Sequence, residues 1–280
     1  MNRNKNFENN YLLYLIATPI GNLSEFSNRA IEIINELDLI ACEDTRNTQK
    51  LLSFFNIKKE LVSLHEHNEV SQSKFIIEQI KQGKKVAYVS DAGYPCISDP
   101  GNILVKLALE EGISCSTISG SSAFLNALVS SGLSTEHFYF HGFLSSNDSE
   151  AKKELENLSK KEETLIFYES PHRIARTLKL FYEIFGDRKA AISRELTKLH
   201  EEQIRGTLSE FINIEESSLK GEIVVIIDGA KNVDEISDEQ IKKRFEEIIK
   251  LGVENKAAIE IVSQELNVNK NRVKKLIFNK

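Results

Sequence analysis

The sequence predicts two α/β domains and a small helical C-terminal domain, and three observations support this fold class. In residues 11–119, short apolar runs alternate with amphipathic stretches, which is typical of a mostly parallel sheet covered by helices on both faces. In residues 120–230, the last three apolar runs have only a short helical segment between them, which favours a mixed or antiparallel sheet. Residues 231–280 show helical periodicity alone.

The first domain is predicted to contain five strands, each followed by a helix. The strands are 11–17, 38–42, 61–64, 85–90 and 114–119. Ser24 is expected to cap the first helix and Asp44 the second, because both have short polar side chains that can accept from backbone amides. Asp99 is expected to cap a helix over 100–111, with Pro100 at its first position.

The second domain is predicted to begin with a helix capped by Ser121 or Ser122 and ending near Gly132. Strands are expected at 137–141, 164–168, 189–194, 201–206 and 221–228, with a polar loop over 142–149. Residues 1–10 are interpreted as a flexible tail and residues 229–237 as a polar linker. Three helices follow, the last two joined by a short connection at 267–269, as in a helix-turn-helix.

Composition restricts the class of protein. The net charge of -6 weighs against an overall nucleic-acid binder but allows a local basic patch. The three cysteines are odd in number and form no C-x-x-C pair, which favours a reducing compartment. The sequence shows no secretion signal and no apolar run of about 20 residues. We therefore expect a cytoplasmic protein with no membrane contact.

Three turns rich in glycine and serine follow predicted strands, at 18–22, 90–101 and 118–123. Ligands bind at strand ends in open α/β sheets, so these turns are candidate binding loops. Asp91 in the second turn could accept from an amine or a ribose hydroxyl. Ordinary turns and helix caps are the alternative interpretation of the first and third. None of them is a G-x-G-x-x-G or Walker motif.

Charged residues also cluster after predicted strands. Glu43, Asp44 and Arg46 stand at one strand-to-helix junction, where they could hold a phosphate or polarise a hydroxyl. His65 and His67 would point to the same side of a strand, but a metal needs further ligands and no metal site is predicted. Basic residues in the second domain could contact a phosphate backbone or form surface ion pairs.

Seven motifs in order resemble the tetrapyrrole methylase superfamily: TPIGNL, ACEDTR, LHEHNE, VSDAGYPCISDPG, FYESPHR, SRELTK and GEIVVII. Within it they are similar to the branch that methylates a cytidine ribose of small-subunit ribosomal RNA. The resemblance implies two α/β domains with S-adenosylmethionine in the cleft between them, commonly in a homodimer. It also implies that the helical tail is the small C-terminal domain of that branch.

The resemblance also assigns roles to individual residues. The implied cofactor-binding residues are Pro19, Ile20, Gly21, Asp91, Gly93, Tyr94, Ser122, Ala123 and Tyr168. Two positions depart from the family pattern. The family usually has threonine at Tyr94, and it has Pro-Gly-Pro where this chain has Ser119-Gly120-Ser121.

The expected reaction is direct transfer of a methyl group to a ribose 2′-hydroxyl, with no metal. Glu43, Asp44 and His67 are candidates for the base, without an order among them. The candidate RNA contacts are Arg46, Arg173, Arg194, Lys198, Lys274 and Lys275. The expected partner is small-subunit ribosomal RNA, free or in the assembled subunit. Two alternatives stay open: a methylase of a tetrapyrrole, and a ligand-sensing regulator that binds nucleic acid.

Overall fold

The computed structural model describes residues 11–214, 219–231, 237–266 and 268–278. The predicted tail over 1–10, most of the predicted linker and Asn267 lie outside these residues. The described chain forms two compact units that divide between Gly229 and Ala230. In the described part of the chain, no helix combines the length and apolar character needed to cross a membrane.

The first sheet is entirely parallel, as the alternation of strands and helices predicts, with strand order β3-β2-β4-β1-β5. Its strands are β1 (Leu13–Ile16), β2 (Leu39–Cys42), β3 (Glu60–Ser63), β4 (Val86–Val89) and β5 (Cys115–Ile118). The helices between them are α1 (Asn28–Glu36), α2 (Thr45–Phe54), α3 (Glu69–Lys81) and α4 (Asn102–Glu110).

Both faces of this sheet are buried because helices pack on each side. Tyr14 and Ile40 point towards α1 and α2, whereas Leu13, Leu39 and Tyr88 point towards α3 and α4. Alternate residues of a strand point to opposite faces, so uninterrupted apolar runs such as β2 and β4 satisfy both layers.

The second sheet is mixed, as predicted, with strand order β6-β7-β10-β8-β9. Only the β6–β7 pair is parallel. Its strands are β6 (Phe138–Phe143), β7 (Thr164–Glu169), β8 (Lys189–Arg194), β9 (Glu202–Thr207) and β10 (Ile223–Ile227). The accompanying helices are α5 (Ala123–Ser131), α6 (Asp148–Leu158), α7 (Ile174–Phe185) and the short α8 (Leu208–Phe211).

The two faces of the second sheet have different neighbours. Helices α6, α7 and α8 cover the face that carries Phe167 and Val225. On the other face, Ile166 and Val224 pack with α5 and with Ile20, which follows β1. A turn of the first sheet therefore forms part of the core of the second, and this contact brings the binding loops of both sheets together.

The C-terminal unit contains three helices around a small core. They are α9 (Asp238–Lys250), α10 (Asn255–Glu265) and α11 (Lys270–Phe278). Ile241, Phe245, Val262 and Val273 are buried between them. The predicted apolar faces of this region are confirmed.

Several local predictions were wrong. Ser27, not Ser24, caps α1, and Ser24 lies in a short 3-10 turn. Asp99 does not cap α4, because a residue before proline is disfavoured from the helical region and the helix starts after Gly101. Gly142 lies within β6, where the predicted polar loop was expected to begin.

Other caps agree with prediction or differ only in detail. Asp44 caps α2 by accepting from the Arg46 amide, as predicted. Ser122 occupies the N-cap position of α5 without a side-chain hydrogen bond to the helix.

Candidate active site

A cavity of about 420 Å³ opens at the carboxyl ends of β1, β2, β4 and β5 and is closed on its other side by the second sheet. This volume lies within the range of small-molecule sites. Its lining from the first sheet includes Ile20, Glu43, Asp91, Gly93, Tyr94, Ile97, Ser98, Asp99, Ser122, Ala123 and Phe124. The second sheet contributes Phe143, Tyr168, Glu169, Ser170, Pro171, Leu196, Gly221, Glu222, Ile223 and Val224.

The loop between β4 and α4 forms much of the wall and has an unusual backbone. Cys96 and Ser98 adopt positive φ values of 70° and 61°, which are uncommon for residues other than glycine. Gly93 exchanges two backbone hydrogen bonds with Thr18, which fixes this loop against the turn after β1. Such strained conformations persist only where surrounding contacts hold them, and they concentrate at functional sites.

A second strained turn closes the cavity from the other sheet. Glu195 and Thr197 have φ values of 50° and 65°, and Leu196 between them lines the cavity. The Thr197 hydroxyl accepts from the Asn22 amide at 3.0 Å, so this turn is tied to the loop after β1. The cavity walls from the two sheets are therefore held in direct contact.

The cavity contains acidic groups with altered acidity. Burial raises the pKa of Asp99 to about 6, and the nearby Glu43 carboxylate acts in the same direction. Burial also raises the pKa of Glu43, with Asp91 as a second cause. Titratable groups with raised pKa values in a cavity are candidates for proton transfer at neutral pH.

The structure places seven of the nine residues implied to bind the cofactor around this cavity: Ile20, Asp91, Gly93, Tyr94, Ser122, Ala123 and Tyr168. Pro19 and Gly21 are the remaining two and do not line it. Gly21 instead lies beneath the 195–198 turn, where a Cβ atom would approach Lys198 Cγ to 2.5 Å. The assignment of these residues to the cofactor stays a prediction.

The two departures from the family pattern meet in the structure. The Tyr94 hydroxyl accepts from the Gly120 amide at 3.2 Å. Gly120 also lies against Ala17, whose carbonyl oxygen would be 3.1 Å from an added Cβ atom. The hydrogen bond from Gly120 to Tyr94 supports the turn between β5 and α5.

The three candidate bases are separated. Glu43 lines the cavity, whereas Asp44 and His67 do not. Asp44 forms a bidentate pair with Arg46, with its Oδ2 2.6 Å from Arg46 Nη2, and this hydrogen bonding lowers the pKa of Asp44 to about 2. A carboxylate that acidic is a weak base.

The two histidines do not lie on a strand, because β3 ends at Ser63. His65 and His67 lie in the turn before α3, with ring centroids 5.9 Å apart and nearly perpendicular planes. Among the described residues, no group of three or more His, Cys, Asp or Glu side chains could hold a metal ion.

Most of the basic residues predicted to contact RNA are engaged in internal pairs. Arg194 Nε lies 2.6 Å from Glu202, and Lys198 Nζ lies 2.9 Å from Glu195. Arg173 lies 3.3 Å from Glu169 and also donates to the Leu144 carbonyl. Arg46 is paired with Asp44 but has a largely exposed side chain. Lys274 and Lys275 lie on α11 and are exposed.

Sequence reasoning missed Asp99, Ile97 and Phe143 as cavity residues. The Asp99-Pro100-Gly101 order was the available signal, since an aspartate before proline is a poor helix cap. No sequence signal identifies Ile97 or Phe143, because an apolar side chain in a loop or at a strand end has no distinguishing pattern. Both are partly exposed, at 42% and 54%.

Residues 12–212 match the family model described as tetrapyrrole (corrin/porphyrin) methylases. The chain belongs to the tetrapyrrole methylase family. Ribosomal RNA small subunit methyltransferase I of Bacillus subtilis strain 168 is 45% identical over 269 residues, covering 94% of this chain and 92% of that protein. The protein of the same name from Haemophilus influenzae is 40% identical, with 92% and 89% covered.

Solved structures of other tetrapyrrole methylase family members share the fold at low identity. The methyltransferase CobJ has a TM-score of 0.59 and 16% identity, over 79% of this chain and 95% of that one. A uroporphyrin-III C-methyltransferase from Thermus thermophilus, complexed with S-adenosylhomocysteine, has a TM-score of 0.55 and 14% identity, over 76% and 96%. At this identity the likeness concerns the two-sheet architecture alone.

Proposed function

We propose that this tetrapyrrole methylase family member transfers a methyl group from S-adenosylmethionine to the 2′-hydroxyl of a cytidine ribose in small-subunit ribosomal RNA. The cavity enclosed by loops of both sheets is the observation on which the proposal depends. The full-length similarity to ribosomal RNA small subunit methyltransferase I, at 45% identity, supports the choice of RNA over a tetrapyrrole as substrate.

The cavity suits S-adenosylmethionine in size and in chemistry. Apolar side chains of Ile20, Leu196 and Val224 can cover an adenine ring, and Asp91 can accept from an amine or a ribose hydroxyl. The carboxylates of Glu43 and Asp99 provide a negative environment for a positively charged donor. When bound, the donor supplies an activated methyl group and a good leaving group.

The chain mainly contributes position and acceptance of a proton. Rigid loops that align the reacting groups can lower the barrier by about 7–11 kcal/mol relative to free reactants. A ribose hydroxyl is a weak nucleophile at neutral pH, and a suitably placed base increases the rate by about 10²–10⁴. Of the three bases considered from sequence, only Glu43 lies at the cavity, which supports a carboxylate in this role.

RNA binding is assigned to cations at the cavity rim and on the C-terminal unit. Arg46, Arg173, Arg194 and Lys198 would contact phosphates by exchanging an internal carboxylate partner for a phosphate oxygen. Lys274 and Lys275 on α11 would add affinity without base selectivity. We further propose a homodimer that acts in the cytoplasm, and light scattering of the purified protein tests its oligomeric state.

Methyl transfer to small subunits from a strain that lacks this protein tests the function. With labelled S-adenosylmethionine, the expected product is a single 2′-O-methylcytidine, identified by mass spectrometry of nucleosides. Naked ribosomal RNA and a tetrapyrrole serve as parallel substrates. Label in a base, in the tetrapyrrole alone, or in neither substrate would refute the proposal.

A further inference from the structure

We propose that Asp99 accepts the proton that the ribose hydroxyl loses during methyl transfer, with Glu43 as the neighbouring carboxylate that shares its environment. This inference rests on the proposed function. Sequence analysis assigned Asp99 to a helix cap, but the structure releases it from that role and places it in the cavity wall.

Five acidic side chains line the cavity, namely Glu43, Asp91, Asp99, Glu169 and Glu222. Three of them already have strong partners. Asp91 accepts from the Asp44 amide through Oδ1 at 3.2 Å and from the Asn47 side chain through Oδ2 at 2.8 Å. Both of its oxygens therefore support the start of α2.

Glu169 and Glu222 are engaged on the other side of the cavity. Glu169 is almost fully buried and accepts from the Ser170 amide at 2.8 Å and the Thr177 hydroxyl at 2.6 Å. Glu222 is mostly exposed and lies 3.1 Å from Lys198 Nζ. A carboxylate held by a cation or by two donors is a weaker proton acceptor.

Glu43 and Asp99 remain, and within the described ranges neither forms an ion pair with a lysine or arginine. A Ser90 hydroxyl supports the Asp99 carboxylate, and a backbone amide of Asp91 supports Glu43. Each carboxylate therefore keeps acceptor capacity towards the cavity. Two such groups close together in a partly desolvated site favour the state in which one of them holds a proton.

The acidity of Asp99 suits the task. Burial and then Glu43 raise its pKa to about 6, and Asp91 adds to the rise. Tyr88, Cys96 and Tyr168 also face it electrostatically, and each of these is a neutral group because burial raises its pKa above the usual range. A base of this pKa is largely ionised at pH 7 yet accepts a proton better than an ordinary aspartate does.

Asp99 also lies where the cavity meets solvent. Its neighbour Ser98 packs against β6, since a Cβ atom at Gly142 would lie 3.1 Å from Ser98 Oγ. Ile97 and Phe143, which flank this contact, are 42% and 54% exposed although both line the cavity. A half-exposed aromatic ring at a rim suits an unstacked nucleobase, so the substrate ribose would enter beside Asp99.

The proposed step balances as follows. The ribose 2′-oxygen forms a bond to the methyl carbon while the carbon–sulfur bond breaks and its electron pair stays on sulfur. The proton of the hydroxyl passes to the Asp99 carboxylate, and solvent removes it after product release. No oxidant, reductant or metal is needed.

Single-turnover methyl transfer, measured against pH for the wild type, Asp99→Asn and Glu43→Gln, tests the inference. The wild-type rate should rise with pH and level off above about 6. Asp99→Asn should lose about 10²–10⁴ in rate while its affinity for S-adenosylmethionine, measured by calorimetry, changes less than about threefold. Glu43→Gln should stay measurably active with its acidic limb moved to lower pH, because a neighbouring negative charge is gone.

The outcomes separate the inference from the function on which it rests. A wild type that transfers no methyl group to RNA refutes the proposed function. An active wild type with an active Asp99→Asn variant refutes only the role of Asp99. Loss of activity in Glu43→Gln, combined with a shifted limb in Asp99→Asn, would make Glu43 the acceptor instead. If Asp99→Asn fails to fold, the limb of Glu43→Gln still decides, since an unmoved limb contradicts the coupling.

Discussion

Asp99 destabilises the folded protein at neutral pH for the same reason that it suits proton transfer. Its pKa rises from 3.8 to about 6 on folding, so the folded state binds the proton more tightly than the unfolded state does. The contribution of this group to stability is therefore greatest below about pH 4 and is lost as pH rises through 6.

Asp99→Asn should therefore be more stable than the wild type at pH 7, by an amount of the order of 1 kcal/mol. The gain should shrink as pH falls to 4, where the wild-type carboxyl is protonated in both states. Urea denaturation at several pH values measures this. Asp44→Asn provides the opposite case, because the Asp44 pKa is lowered to about 2 and its removal should destabilise most at neutral pH. A gain in Asp99→Asn that does not depend on pH would contradict the electrostatic explanation.

Asp91 is the second residue whose role can be tested alone. Asp91→Ala should weaken binding of S-adenosylmethionine by roughly 10–100-fold, since hydrogen bonds to charged groups contribute about 1.5–3 kcal/mol. Calorimetry with the purified protein measures the affinity. Unchanged affinity would remove Asp91 from the binding site.

The matched control for Asp91→Ala is Asn47→Ala. The Asn47 amide donates to Asp91 Oδ2 from α2, so its loss disturbs the same carboxylate but leaves that carboxylate at the cavity. Asn47→Ala should reduce affinity much less. Equal losses in both variants would mean that Asp91 acts through the position of α2 and not through contact with the ligand.

Among the elements, α4 has a cap that no local pattern reveals. Its N-cap residue is Gly101, which has no side chain to accept from the free amides. Glu69 on α3 supplies the acceptor, since its Oε1 accepts from the Gly101 amide at 2.8 Å and the Ile103 amide at 2.9 Å. The carboxylate also interacts favourably with the positive end of the α4 dipole.

Glu69→Ala should lower the free energy of unfolding by about 1–2 kcal/mol, because two helix amides lose their acceptor. Glu69→Gln should lose less, since the amide oxygen can still accept. Glu78→Ala is the control on the same helix, because Glu78 is exposed and pairs only with Lys81 at 3.4 Å in the structure. Urea denaturation that shows equal losses for Glu69→Ala and Glu78→Ala would refute the capping role.

The difference between α2 and α4 explains which elements could be predicted from sequence. Asp44 caps α2 through an amide two residues away, so a short-range pattern contained all the information. The α4 cap comes from a residue 32 positions earlier, and only the packing of α3 against α4 brings it there. Strand positions were likewise predictable, because buried apolar runs such as β2, β4 and β10 lie between polar turns.

At the scale of the whole molecule, the sequence predicted the turns of the site but not how they meet. Order along the chain and the resemblance together identified the loops after β1, β4 and β5. The wall from the second sheet depends on Ile20 entering the core beside Val224 and on Thr197 accepting from Asn22. Such contacts depend on how two sheets pack, and the residues between Asn22 and Thr197 carry no periodic signal of it.

Removal of residues 232–280 tests how the work is divided over the molecule. The described residues up to Gly229 form a compact unit that contains the whole cavity, whereas the C-terminal unit has a core of its own. The shortened chain should bind S-adenosylmethionine with little change and bind RNA more weakly. Filter binding to ribosomal RNA and calorimetry with the methyl donor measure the two effects. Loss of both would show that the C-terminal unit is needed for the fold.

Charge reversal on α11 separates RNA contact from overall charge. Lys274→Glu with Lys275→Glu should weaken RNA binding and reduce the slope of log affinity against log salt by about one to two, since each lost phosphate contact releases fewer counterions. Lys242→Glu with Lys243→Glu makes the same change of net charge at exposed positions of α9. That control should keep most of the slope, because only a cation that touches a phosphate displaces its counterion. Equal slopes in the two double variants would mean that net charge, and not a surface of α11, governs RNA affinity.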